Sequence, residues 1–238
     1  MQFTRGYKAV FFDLDGTLRH SVPNPADVST AKARELGLEI SDEKARETGR
    51  WEHSYWASSN DLRADAERFA KDEAGFWKNY TERRLKFIGA NPAQIKAISG
   101  PLRNYMHSKF RSKDWVPPEV YTMLPDLQKA GFKLGVLSNR STTFLDIMDK
   151  LELTSYFDII KAAGELGSWK PNPEVFTPLL EHFDLAPEEA VYIGDNYYAD
   201  IVGARAAGLA PILYDPRGLF PDADCVRITS FEALPAYL

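Results

Sequence analysis

Residues 8–18, KAVFFDLDGTL, carry an unbroken apolar stretch that stops on two aspartates flanking one leucine. A run apolar on both faces suits a strand covered by helices on both sides, so residues 9–12 are predicted as a first, buried strand of a parallel sheet. From Pro23 to about Trp115 no comparable run occurs. Asn24-Pro25 and Asn91-Pro92 have the form of helix caps followed by proline at the first helical position, and Gly37 and Gly89 have the form of helix ends. This block is predicted to be helical. After Pro117-Pro118 the pattern alternates. A helical stretch runs to Ala130, then come KLGVLSN (133–139), a helix from about Thr142, FDIIKA (157–162), a helix from about Pro173 and AVYIGD (190–195). A further helix from about Ala199 to Ala207 stops at Gly208, followed by PILY (211–214), CVRI (225–228) and a last helix begun by Ser230.

Such alternation implies an α/β fold, a doubly wound parallel sheet. The core is then built from both ends of the chain, residues 1–18 and 114–238, with an all-helical domain, residues 19–113, inserted after the first strand. Pro125, inside a predicted helix, implies a kink.

Composition narrows the class of function. The chain has 238 residues, enough for one large domain or two modest ones, and a formal net charge of −5. An acidic chain with scattered Lys and Arg offers no basic face to a phosphate backbone, which argues against a nucleic-acid partner. One cysteine, Cys225, cannot form an intrachain disulfide, and the four histidines, His20, His53, His107 and His182, have no metal-ligand spacing. These features, a polar N-terminus and the lack of any span-length apolar stretch predict a cytoplasmic protein without membrane association. A monomer and a homodimer are equally compatible with the sequence.

In an open parallel sheet, ligands bind beyond the carboxyl ends of the strands. The polar residues just after the apolar runs are therefore the candidate site: Asp13 and Asp15, Ser138 and Asn139, Asp195, with Lys170 in GSWKPNPEVF and Asp200 nearby. Residues two apart on an extended segment project to one side, so Asp13 and Asp15 are expected to face the pocket while Leu14 packs inward. Four gathered carboxylates stay ionised only beside cations, which Lys170 and a hard divalent ion would supply; oxygen-rich, histidine-poor ligation suits Mg²⁺. A phosphoryl group held by such cations is a target for a carboxylate nucleophile, Asp13. Asp15, on the turn, suits the proton transfers to the leaving group and from water. Ser138 and the amides around Asn139 can donate to phosphoryl oxygens, and Gly16 lets the turn backbone approach them.

At these residues the chain resembles the haloacid dehalogenase superfamily of hydrolases. DLDGT (13–17) looks like its first motif, SN (138–139) its second, KP (170–171) its third and GDNYYAD (194–200) its fourth, all in order. The resemblance implies a Rossmann-like core and a phosphatase acting on a small-molecule phosphate ester. It implies Asp13 as nucleophile, Asp15 as acid and base, and Lys170 as the neutralising ammonium, with Gly16, Thr17, Ser138, Asn139 and Lys170 around the phosphate. Mg²⁺ would be bound by Asp13, the backbone carbonyl of Asp15 and Asp195. Asp200 matches a position that reaches the metal through water or positions the lysine.

Dehalogenating and phosphonate-cleaving members lack an acid at the position of Asp15, which argues against both activities here. A phosphoryl-transferring mutase keeps all four motifs and stays open as an alternative, as does a catalytically idle binding protein. Residues 19–113 match only in kind, as the cap many members insert. Its aromatics, Trp51, Tyr55, Trp56, Phe69, Phe76, Trp77 and Tyr80, recur at helical spacing and are expected to pack as a core face. Arg46 and Arg50 are expected on a solvated helix face.

Overall fold

The computed structural model describes residues 6–238, so the polar N-terminal stretch read above lies largely outside the described residues. The chain divides into two compact units, one made of the chain up to His20 together with Trp115–Leu238, the other of Ser21–Asp114.

The first unit is organised by a six-stranded sheet. Its strands are β1 (Ala9–Phe12), β4 (Lys133–Ser138), β5 (Ile159–Ala162), β6 (Ala190–Gly194), β7 (Ala210–Tyr214) and β8 (Val226–Ile228). The order is β5-β4-β1-β6-β7-β8, with every pair parallel. The short strands β2 (His20–Val22) and β3 (Lys113–Trp115) form a separate two-stranded sheet where the chain passes between units. All four residues of β1 are fully buried because both faces of the sheet are covered. Strand alternation sends Val10, Phe12, Val136, Val191 and Ile193 into one apolar cluster and Ala9, Phe11, Leu137 and Tyr192 into the other. The connections run outward from β1 to β4 and β5, then return across it to β6. The order therefore reverses between β1 and β6, where such sheets open a crevice at the strand ends.

The second unit is helical. It holds α1 (Pro25–Glu35), α2 (Asp42–Trp56), α3 (Asn60–Arg68), α4 (Glu73–Phe87) and α5 (Pro92–Ser108). Asn24 and Asn91 cap α1 and α5, whose first residues are prolines, and the chain leaves α1 and α4 through Gly37 and Gly89 at positive φ. Leu38, Leu85, Ile88, Ile98 and Leu102 form its buried apolar core. Of the aromatics expected on a core face, Tyr55 is 2% exposed, and most pack on one another rather than on that aliphatic cluster. Trp51 stacks on Tyr80 and on Phe87, while Trp56 and Trp77 are 37% and 44% exposed. Arg46 is exposed and Arg50 half-buried.

Several elements differ from expectation. The helix placed from Thr142 starts later, as α7 (Leu145–Lys150). The stretch from Pro173 begins as a 3₁₀ turn and becomes α-helical only at Thr177–His182, and the final segment, Phe231–Tyr237, is 3₁₀ throughout. Tyr197–Ile201 is π-helical before Val202–Ala206 continues as α-helix. Pro125 stays within α6 (Val120–Lys129), and Pro101 within α5. The strand β3 is absent from the sequence reading because its three residues are polar or exposed and carry no apolar alternation. No helix among the described residues is long and apolar enough to cross a membrane.

One buried charge cluster ties α1, α2 and α4 together. Arg84, 3% exposed, donates from Nε to Glu52 at 2.7 Å and from Nη2 to Thr30 Oγ1 and to the Ala26 carbonyl. Removing one partner of a buried pair strands the other charge, so Arg84→Ala is expected to destabilise by about 3–5 kcal/mol. Urea unfolding followed by tryptophan fluorescence tests this, and a loss below about 1 kcal/mol, typical of an exposed pair, would refute it.

Candidate active site

Register builds the site. Phe12 pairs with both Val136 and Ile193, so the ends of β1, β4 (Ser138) and β6 (Gly194) fall within two residues of one another, and Asp13 extends the ladder by donating its N–H to the Ile193 carbonyl at 2.8 Å. Asp13, which follows β1, and Asp195, which follows β6, therefore meet at the point where the strand order reverses. Lys170 arrives from the segment after β5. Its backbone is pinned by Asn139, whose side chain accepts from the Lys170 N–H at 2.8 Å and donates to the Lys170 carbonyl at 2.9 Å. The sequence reading gives the phosphate the backbone amides around Asn139; its side chain holds the lysine segment in place.

Lys170 is 1% exposed, and its ammonium shares three N–H bonds among Asp13 and Asp200, each at 2.7 Å, the Tyr192 hydroxyl at 2.9 Å and the Leu137 carbonyl at 3.1 Å. Tyr192 in turn donates to the same carbonyl at 2.8 Å. Although burial works to lower it, the charges of Asp13 and Asp200 hold Lys170 well above its ordinary pKa, so it stays cationic. Asp200 is also fixed from its other oxygen, which accepts from the Asn196 N–H at 2.9 Å. With both oxygens engaged, Asp200 is placed to position the lysine and the loop that carries Asp195.

Two glycines make this packing possible. Gly16 has φ +90, and a Cβ there would lie 2.3 Å from the nearer Asp195 oxygen. A Cβ on Gly194 would lie 2.3 Å from the Asp200 carboxyl carbon. The carboxylates thus occupy the volume that any other residue's side chain would fill.

One ammonium does not balance three carboxylates. Burial, opposed by Lys170 and reinforced by Asp200, pushes the Asp13 carboxyl up to about 7. Burial, together with repulsion from Asp13 and Asp200, holds Asp195 well above the usual carboxylate range. Asp13, Asp195 and Asp200 each present an oxygen within 4.8 Å of the others. An all-oxygen donor set short of positive charge fits a hard divalent cation.

Leu14 is fully buried as predicted, and the Asp15 carboxylate is held by two arginines. It accepts from Arg140 Nε at 2.7 Å and Nη2 at 2.9 Å, and from Arg19 Nη1 at 2.7 Å. Burial would raise its pKa, but the two guanidiniums outweigh it and hold the carboxyl below its ordinary value. Ser138, 2% exposed, ends β4, and the fully buried Thr17 keeps its hydroxyl without a hydrogen-bond partner. His20 bonds the Thr17 carbonyl and packs against Trp115 and Tyr214. Sequence reasoning missed Tyr192, Arg19 and Arg140. A tyrosine within an otherwise aliphatic strand, three residues before Asp195, was the signal available for the first; nothing local marks the arginines.

Comparison with known proteins agrees with this geometry. A family model described as haloacid dehalogenase-like hydrolase matches residues 7–208. The chain is 32% identical over 212 residues to a ribulose-1,5-bisphosphate 5-phosphatase of Halopiger xanaduensis, which covers 87% of this chain and 84% of that one. It is 31% identical over 204 residues to a phosphoglycolate phosphatase of Aquifex aeolicus, covering 84% and 81%. The crystal structure of a 2-haloacid dehalogenase from Pseudomonas syringae pv. tomato superposes over 97% of each chain with a TM-score of 0.55 at 26% identity.

The close approach at Gly194 yields a direct test. Gly194→Ala is expected to lose about 1–3 kcal/mol by overpacking and to displace Asp200 from Lys170. Thermal unfolding that matches the wild type would show that the carboxylate has room to move and that the packing argument is wrong.

Proposed function

Because the chain belongs to the haloacid dehalogenase-like hydrolases, we propose that it is a Mg²⁺-dependent phosphatase of small phosphate esters, working through an aspartyl-phosphate on Asp13. The observation that carries this reading is the buried Lys170 ammonium, which holds Asp13 and Asp200 at the strand ends with Asp195 alongside. Bound Mg²⁺, held by Asp13, Asp195 and the Asp15 backbone carbonyl, would neutralise the carboxylates and the phosphoryl oxygens. The helical unit Ser21–Asp114 is, in this reading, the cap of the family.

The chain's own residues then divide the reaction into two displacements. An Asp13 oxygen attacks phosphorus while the ester P–O bond breaks. Its electron pair stays on the leaving oxygen, which takes a proton from Asp15. Water next attacks the same phosphorus and gives its proton to Asp15, and the acyl-phosphate P–O bond breaks to restore the Asp13 carboxylate. Lys170 keeps its proton throughout and balances charge on Asp13 and the phosphoryl group. Ser138 and Thr17, with the turn at Gly16, donate to phosphoryl oxygens in this reading; a Thr17 hydroxyl without a hydrogen-bond partner supports it.

Phosphate release from a panel of phosphomonoesters is expected to require Mg²⁺ and to fall by about a thousandfold or more in Asp13→Asn, where the nucleophile is gone. Labelled phosphate on the chain in a quenched turnover should be discharged by hydroxylamine, as an acyl phosphate is. Turnover that survives Asp13→Asn would overturn the reading, and isomerisation of a sugar phosphate without net release would assign the mutase instead. Independently of activity, Mg²⁺ at about a hundredfold excess over its Kd is expected to stabilise the wild type by about 2.7 kcal/mol. Asp195→Asn should lose that gain; a thermal shift unchanged in the variant would remove Asp195 from the metal site.

A further inference from the structure

The grip of Arg140 on Asp15 is unexplained by the reaction itself. A group that donates to the leaving oxygen must bring a carboxyl oxygen within hydrogen-bond reach of that ester. In this structure both Asp15 oxygens are taken: Oδ2 accepts from Arg140 Nε, and Oδ1 accepts from Arg140 Nη2 and Arg19 Nη1. The two parallel bonds from Arg140 form the fork geometry that guanidinium makes with any carboxylate or phosphate. The pair is reachable from solvent, with side-chain exposures of 30% for Arg140 and 37% for Asp15.

The position of Arg140 is fixed from below. It directly follows Ser138 and Asn139, and its carbonyl accepts from the Gly164 N–H at 3.0 Å. A Cβ on Gly164 would lie 1.9 Å from the Ser141 carbonyl oxygen, so this loop is packed tightly against the start of the short helix Ala163–Leu166. The backbone is anchored while the guanidinium reaches outward beside the phosphate donors. Exchange of Asp15 for another oxyanion would leave Arg19 on Oδ1 and free Oδ2 for the ester.

We propose that Arg140 recognises a second anionic group on the substrate, so that the preferred esters carry a carboxylate or a further phosphate a few bonds from the scissile phosphate, and binding that group releases Asp15. This rests on the phosphatase reading above and names the substrate class for the same site. An ester without a second anion leaves the fork on Asp15 and reacts slowly; one with it supplies the replacement partner.

The test compares kcat/KM for ethyl phosphate, 2-phosphoglycolate and ethane-1,2-diol bisphosphate in the wild type, Arg140→Ala and Arg140→Lys, all with Mg²⁺. The wild type is expected to prefer at least one of the two anion-bearing esters over ethyl phosphate by about tenfold or more, the range of a charge-assisted hydrogen bond. The better of the two identifies the oxyanion as carboxylate or phosphate. In Arg140→Ala that ratio should collapse toward one, and Arg140→Lys, which keeps the charge and the stem without the fork, should retain part of it and serves should the alanine variant not fold. A wild type that does not distinguish the three esters, or variants that slow all three in proportion, would overturn the proposal and leave Arg140 as a brace for Asp15. Absence of metal-dependent release from every ester would instead overturn the phosphatase reading on which it stands.

Discussion

The site depends on one buried ion cluster, the Lys170 ammonium shared by Asp13 and Asp200. Taking an ammonium and two carboxylates out of water costs several kcal/mol per ion, which only close geometry and full hydrogen bonding offset. The chain meets both conditions. The lysine has two carboxylates at 2.7 Å, and its other contacts are the Tyr192 hydroxyl and the Leu137 carbonyl. A cluster of this kind adds little net stability but tolerates few alternative arrangements. It joins the end of β1, the segment after β5 and the turn after β6.

The same economy of space explains the glycines. Carboxylates can be brought together only if the backbone beside them has no side chain, and Gly16 and Gly194 leave the volume that Asp195 and Asp200 fill. Burial is the main force that raises the pKa of Asp13 and Asp195, and repulsion from neighbouring carboxylates adds to it.

Asp15 lies on the same turn and obeys different physics. It stands nearer solvent and is held by guanidiniums that are partly exposed, so its partners can exchange at modest cost, whereas those of Asp13 cannot. A buried carboxylate held by the lysine thus stands beside a more accessible one held by arginines.

Local pattern already determined much of this protein. The double-sided apolar run of β1, the alternation after Pro117, the Asn-Pro caps of α1 and α5 and the glycines that end α1 and α4 are written within a few residues of where they act, and so are legible in one dimension. So was the assembly of Asp13, Lys170, Asp195 and Asp200, because an open parallel sheet directs every strand end to one edge. Tertiary structure alone decided the partners. That Asn139 grips the backbone of Lys170, that Asp200 bonds Lys170 through one oxygen and the Asn196 N–H through the other, that Tyr192 completes the lysine's shell and that Arg140 reaches Asp15 across 125 residues follow from which strands become neighbours. Periodicity fixes the face on which a side chain lies; hydrogen-bond partners are fixed by strand order and register, which bring together residues with no relation in sequence.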